Sequence, residues 1–99
     1  ILTGEPIPAA RAYELGLVNR LVEPGQAVAS AMELALKICE AAPLAVWASR
    51  KVVLAAAWAD DETLIRMTNE GFAAVFNSED TKEGLTAFIE KRPPNWAGR

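Results

Sequence analysis

The stretch that most constrains the fold is Pro43 to Trp58, PLAVWASRKVVLAAAW, in which only Ser49, Arg50 and Lys51 are strongly polar. Proline at the first helical position sacrifices no hydrogen bond, because that N–H has no partner within a helix. The spacing predicts one helix across the whole run. A helix that is apolar nearly all round must be covered on several sides. Ninety-nine residues make one small domain or part of a larger one, and a domain of that size buries only about two-thirds of the surface its unfolded chain exposes. Trp47, Trp58, Phe72 and Phe76 carry more large apolar surface than a few short helices can bury among themselves, and such patches mark interfaces. Partners are therefore expected, either a further part of the same chain or other subunits.

The segments around this run also read as helices. Pro8 opens a short one that ends near Leu15, with Gly16 just past its end. From Gln26 to Ala42, Val28, Met32, Ala35, Leu36 and Cys39 fall at helical spacing, with Glu33, Lys37 and Glu40 opposite. The Asp60-Asp61-Glu62 cluster suits a helix start, and Leu64, Ile65, Thr68, Phe72, Val75 and Phe76 continue a stripe to about Asn77. Ser78 caps a last helix, with Glu79 and Asp80 in its first turn, and Pro93 stops it. Only Leu17 to Val22 has the β-branched content of a strand, closed by Pro24-Gly25. A lone strand has no neighbour to satisfy its backbone. It is either irregular or part of a sheet that lies outside this chain.

Composition narrows the function. The formal charge is −3, which lacks the basic footprint that nonspecific nucleic-acid binding requires, so any anion site is local. There is no histidine, which removes the commonest general base and most transition-metal sites. Cys39 is the single cysteine, so no intrachain disulfide forms. No run resembles a secretory leader or a membrane span, and a reducing compartment, the cytoplasm, is expected. No cofactor is expected.

Thirteen carboxylates invite a search for an acid/base pair. Glu33 with Glu40, and Glu79 with Glu83, are spaced for one, but they read as solvated helix faces. Asp60, Asp61 and Glu62 read as a cap and dipole partners rather than a metal cluster. Ser49 lacks a base, and Cys39 sits on an apolar stripe where a thiol packs. No catalytic residue and no metal ligand is expected in this chain. The closing run, GLTAFIEKRPPNWAGR, is different. Phe88 and Lys91 are three residues apart and Arg92 is four from Phe88, which on a helix places an aromatic plane beside fixed cations. That is equipment for a nucleotide, stacking for the base and charge for a phosphate. The plain alternative makes Phe88 core and Lys91 a snorkelling surface residue.

Two stretches bear on that choice. LTGEPIPAARAYELGLVNRLV resembles the Thr-Gly, Ala-x-x-A and Gly-Leu-Val-Asn run of the crotonase superfamily, the enoyl-CoA hydratases and isomerases. SEDTKEGLTAFIEKRPPNWAGR resembles the same family's closing segment, and APLAVWASRKVV its Pro-Leu-Ala helix. The resemblance implies a mainly α chain with one short strand at most. It implies the helical C-terminal region of a crotonase-like fold, with residues 1–25 from the tail end of the spiral core and residues 26–99 a helical oligomerisation region. The N-terminal spiral, with its backbone oxyanion hole and catalytic acids, would lie upstream of Ile1, and Leu17 to Val22 would be a strand severed from its sheet.

Carried over residue by residue, the resemblance implies that Phe88 and Lys91 approach the adenine and 3′-phosphate of coenzyme A, which enters as part of an acyl-CoA substrate. Phe72 matches a position that lines the far end of the acyl pocket, although a core role fits it as well. The implied reaction is hydration of a 2-enoyl-CoA in a trimer or hexamer. The 99-residue chain by itself is expected to be inactive.

Overall fold

The structure, a computed structural model that describes residues 2–99, is built of helices; Ile1, where the expected spiral-derived segment begins, lies outside the described residues. Five helices and no strand occur among the described residues: α1 (Ala9–Glu14), α2 (Ala27–Cys39), α3 (Pro43–Ala55), α4 (Asp61–Phe76) and α5 (Glu79–Glu90). The chain divides into two compact units, Ile1–Leu36 and Lys37–Arg99.

In the first unit, Pro8 stands at the N-cap of α1 with extended backbone, one residue earlier than its preference for the first helical position suggests. Gly16 takes the expected left-handed role at φ +72°. Its N–H donates to the Tyr13 carbonyl (3.0 Å) and that of Leu17 to the Ala12 carbonyl (2.8 Å), the paired bonds that close a helix through a glycine. Leu17 to Val22 forms no strand, one of the two outcomes its sequence left open. The segment is irregular, with Leu17 and Leu21 at least half exposed, because no neighbouring strand among the described residues pairs with its backbone. Arg20 instead reaches the Ser30 carbonyl (3.2 Å) and the Glu33 carboxylate (3.4 Å). Exposed contacts of that length contribute little.

The second unit is organised by α4, which packs against both α3 and α5. Pro43 opens α3 at its first turn as expected, but the regular helix ends at Ala55, three residues short of Trp58. Gly71 lets α3 and α4 approach, since a Cβ there would stand 3.3 Å from that of Ala48. Both expected caps are present. Asp60 accepts from the Thr63 N–H at 2.8 Å, and Ser78 Oγ accepts from the Thr81 N–H at 3.1 Å. The Thr81 hydroxyl donates to the Val75 carbonyl (2.7 Å), tying the start of α5 to the end of α4.

Burial is sparse. Among the described residues the buried apolar side chains are Ala12, Ala55 and Ala87, and the buried polar ones are Ser78 and Asp80. Trp47, Trp58, Ile65 and Phe76 are all more than half exposed. Much of the apolar surface that shaped these helices stays uncovered among the described residues.

Candidate functional site

The end of α5 departs from the sequence expectation in a way that bears on function. The helix stops at Glu90, not at Pro93, and Lys91 takes left-handed backbone, φ 55° and ψ 40°. It is the non-glycine residue with positive φ among those described. The Lys91 N–H donates to the Phe88 carbonyl (3.3 Å) and the Arg92 N–H to that of Ala87 (3.1 Å), the same closure that Gly16 makes for α1. Proline at 93 disfavours helical backbone at the residue before it. The chain therefore leaves the helix ahead of Arg92, and the reversal falls on Lys91. Helical spacing no longer relates Lys91 to Phe88, because only Phe88 is on the helix.

Charge around this reversal is sorted sharply. Arg92, which the spacing placed on the aromatic–basic face, is occupied by two acids. Its guanidinium forks onto Glu83 at 2.6 and 3.0 Å, and its Nε donates to Glu90 at 2.6 Å. The fork and the Asn95 N–H (2.6 Å) hold the Glu83 carboxyl down to about 2. The two carboxylates push the Arg92 guanidinium further up from its ordinary value, Glu83 most of all. No ion pair among the described residues involves Lys91, which is exposed. Phe88 is 83% exposed. Among the described residues, nothing buries Phe88. An unpaired ammonium and a free aromatic face stand at the end of α5.

Residues 92–99 run back along α5 and are held by its acids. Asp80, 1% exposed, accepts from the N–H groups of Ala97 (2.7 Å) and Gly98 (3.1 Å to each oxygen). The Glu79 N–H donates to the Arg99 carbonyl (2.8 Å), and Arg99 Nε donates back to the Glu79 carboxylate (2.9 Å), which raises the Arg99 guanidinium. Trp96 lies against Gly84, where a Cβ would stand 3.2 Å from the indole, and donates its Nε1–H to the Glu40 carbonyl (2.8 Å). Asp80, Glu83 and Trp96 are the residues that sequence reasoning missed. The available signal was the closing segment itself, in which the side chains of Glu79, Asp80 and Glu83 serve the tail rather than solvent.

Phe72 lies elsewhere, on α4, 66% exposed and stacked on Phe76 at 5.6 Å between ring centroids. It lines a groove of about 360 Å³ between α3 and α4 with Ala48, Val52, Val53 and Met67. Neither Phe88 nor Lys91 lines that groove. Asp60 is a cap whose Thr63 hydrogen bonds lower its carboxyl from the ordinary value. Cys39 is an exposed free thiol. Among the described residues no acidic, cysteine or histidine cluster could hold a metal, and no helix is long and apolar enough to cross a membrane.

The family model described as enoyl-CoA hydratase/isomerase matches residues 1–99. The chain is 40% identical over 92 residues to a short-chain-enoyl-CoA hydratase of Clostridium acetobutylicum, covering 93% of this chain and 35% of that protein. It is 38% identical over 102 residues to a carnitinyl-CoA dehydratase of Salmonella arizonae, covering 99% and 39%. A crystal structure of an enoyl-CoA hydratase from Mycobacterium tuberculosis superposes with a TM-score of 0.92 at 44% identity, covering 99% of this chain and 39% of that one. The chain thus spans 35–39% of the length of these relatives.

Proposed function

Because the chain belongs to the enoyl-CoA hydratase/isomerase family, we propose that it is the helical C-terminal region of an enzyme that adds water to the double bond of 2-enoyl-CoA thioesters. In this reading it supplies Phe88 and Lys91 to the adenine and 3′-phosphate of coenzyme A, and Phe72 to the far end of the acyl pocket. The observation that carries the coenzyme A role is the sorting of charge at the end of α5: Arg92 is consumed by Glu83 and Glu90, while Lys91 is exposed without an ion-pair partner among the described residues.

The chemistry would come from outside residues 1–99. A backbone oxyanion hole would hold the thioester carbonyl and stabilise enolate charge as water adds at C3, with carboxylates moving the proton. One such donor is worth roughly 3–4 kcal/mol by analogy with proteases. Glu79 and Glu83, one of the two pairs spaced for such work, are engaged with the tail. The exposed Trp47 and Trp58 support a homo-oligomer, a trimer or hexamer, and the single cysteine accords with the cytoplasm.

A second reading keeps the acyl-CoA substrate and changes the reaction. The likeness to a carnitinyl-CoA dehydratase favours it, and an isomerase belongs to the same set. A non-catalytic helical oligomerisation module is the reading from a different class. Hydration of crotonyl-CoA by the full-length protein, followed at the enoyl absorbance, separates them. Turnover supports the first reading; binding of the thioester without hydration supports the second; absence of any coenzyme A binding supports the module.

A further inference from the structure

Lysine is an uncommon choice for the position it occupies at the end of α5. A left-handed residue that closes a helix is usually glycine, occasionally asparagine, and a side chain there is strained, as at Lys91 with φ 55°. Such strain persists where the surroundings over-determine it. Those surroundings are identifiable. Arg92 is fixed at its backbone by the Ala87 carbonyl and at its side chain by the Glu83 fork, and Asn95 donates to the same Glu83 oxygen that Arg92 Nη1 reaches. Lys91 lies between the last turn of α5 and this fixed residue, so its backbone has little freedom. The acids also neutralise Arg92 locally, which leaves Lys91 as the unpaired cation at the turn.

We propose that Glu83 and Arg92 are positioning residues for Lys91, holding the reversed backbone so that its ammonium meets a phosphate monoester on an adenine nucleotide. The inference rests on the reading that Phe88 and Lys91 meet coenzyme A. A cation whose backbone is already held loses less freedom on binding than one on a mobile chain end, so the gain appears as affinity for the phosphate. Glu83 itself touches no ligand in this arrangement. Its effect passes through Arg92 to residue 91.

The test is calorimetric titration of the full-length protein with coenzyme A and with 3′-dephospho-coenzyme A. The wild type is expected to prefer the phosphorylated form about ten-fold or more. Lys91→Gly suits the left-handed backbone, so it should fold normally while its preference falls to about one. Glu83→Gln should fold and lose several-fold of the preference. Asp80→Asn, which loosens the tail without touching Arg92, should keep it. Should Glu83→Gln be unfolded at the titration temperature, Arg92→Lys carries the same expectation, because lysine lacks the two-pronged fork. A folded Glu83→Gln or Arg92→Lys with full wild-type preference, beside a Lys91→Gly that has lost it, overturns the positioning role and leaves the nucleotide reading standing. A wild type that does not distinguish the two ligands overturns the nucleotide reading itself, and the positioning role with it.

Discussion

Glu83 answers to three groups at once: both prongs of the Arg92 guanidinium and the Asn95 N–H. All of them favour its ionised form, which holds the carboxyl down to about 2 from an ordinary value of 4.5. A group whose folded value is depressed stabilises the fold above its unfolded value and loses that contribution as pH falls toward the folded one. The window is therefore about 4.5 down to about 2. In full-length protein, the gap in thermal midpoint between wild type and Glu83→Gln should be constant above pH 5 and should shrink steadily below it. A gap that does not change between pH 5 and pH 2.5 would show that the fork is not formed. The partly exposed setting of both side chains keeps the expected gap modest.

At the scale of elements, the strap formed by residues 92–99 depends on α5 more than on its own sequence. Asp80 is nearly inaccessible and accepts from two backbone N–H groups seventeen and eighteen residues away. Hydrogen bonds to a charged acceptor are each worth about 1.5–3 kcal/mol, so Asp80→Asn, which keeps the shape and removes the charge, should lower stability by about 1–3 kcal/mol in chemical denaturation. An unchanged midpoint would mean that the strap is held elsewhere. Such long-range bonds explain what the sequence could and could not disclose. Caps at Asp60 and Ser78, the proline start of α3 and the glycine end of α1 are local, each set by residues within one turn, and all were legible. Asp80 read only as an acid in the first turn of the last helix because its tail partners are invisible to spacing. The turn at Lys91 was hidden for a related reason: Pro93 pointed to the stop, but its constraint acts on Arg92 and displaces the reversal to a residue with no glycine signal. Leu17 to Val22 is irregular, as one of its two readings allowed, because β-branched content describes a surface that fits a sheet, and no other strand among the described residues supplies one.

For the whole molecule, the decisive quantity is the apolar surface left uncovered. Large side chains such as Trp58 (77%) and Ile89 (77%) are exposed, while the buried apolar set among the described residues is three alanines. Burial is the main favourable term in folding, at about 25 cal/mol per Å² of apolar surface, and three alanines supply little of it. The purified 99-residue chain is accordingly expected to aggregate or to populate a loosely packed state, and to hydrate no crotonyl-CoA. Light scattering of a stable, cooperatively melting monomer would contradict the first part, and measurable turnover the second. In the proposed enzyme the same faces are covered by the rest of the protein and by neighbouring subunits, and the end of α5 then stands at the substrate. The most direct measurement of that claim is crotonyl-CoA hydration by the full-length protein, wild type beside Lys91→Gly. Removing a contact made equally in ground and transition states raises KM and spares kcat. The expected result is turnover by both proteins, with KM about ten-fold higher in the variant and kcat within about two-fold, whereas an unchanged KM, or no hydration by the wild type, would contradict the account.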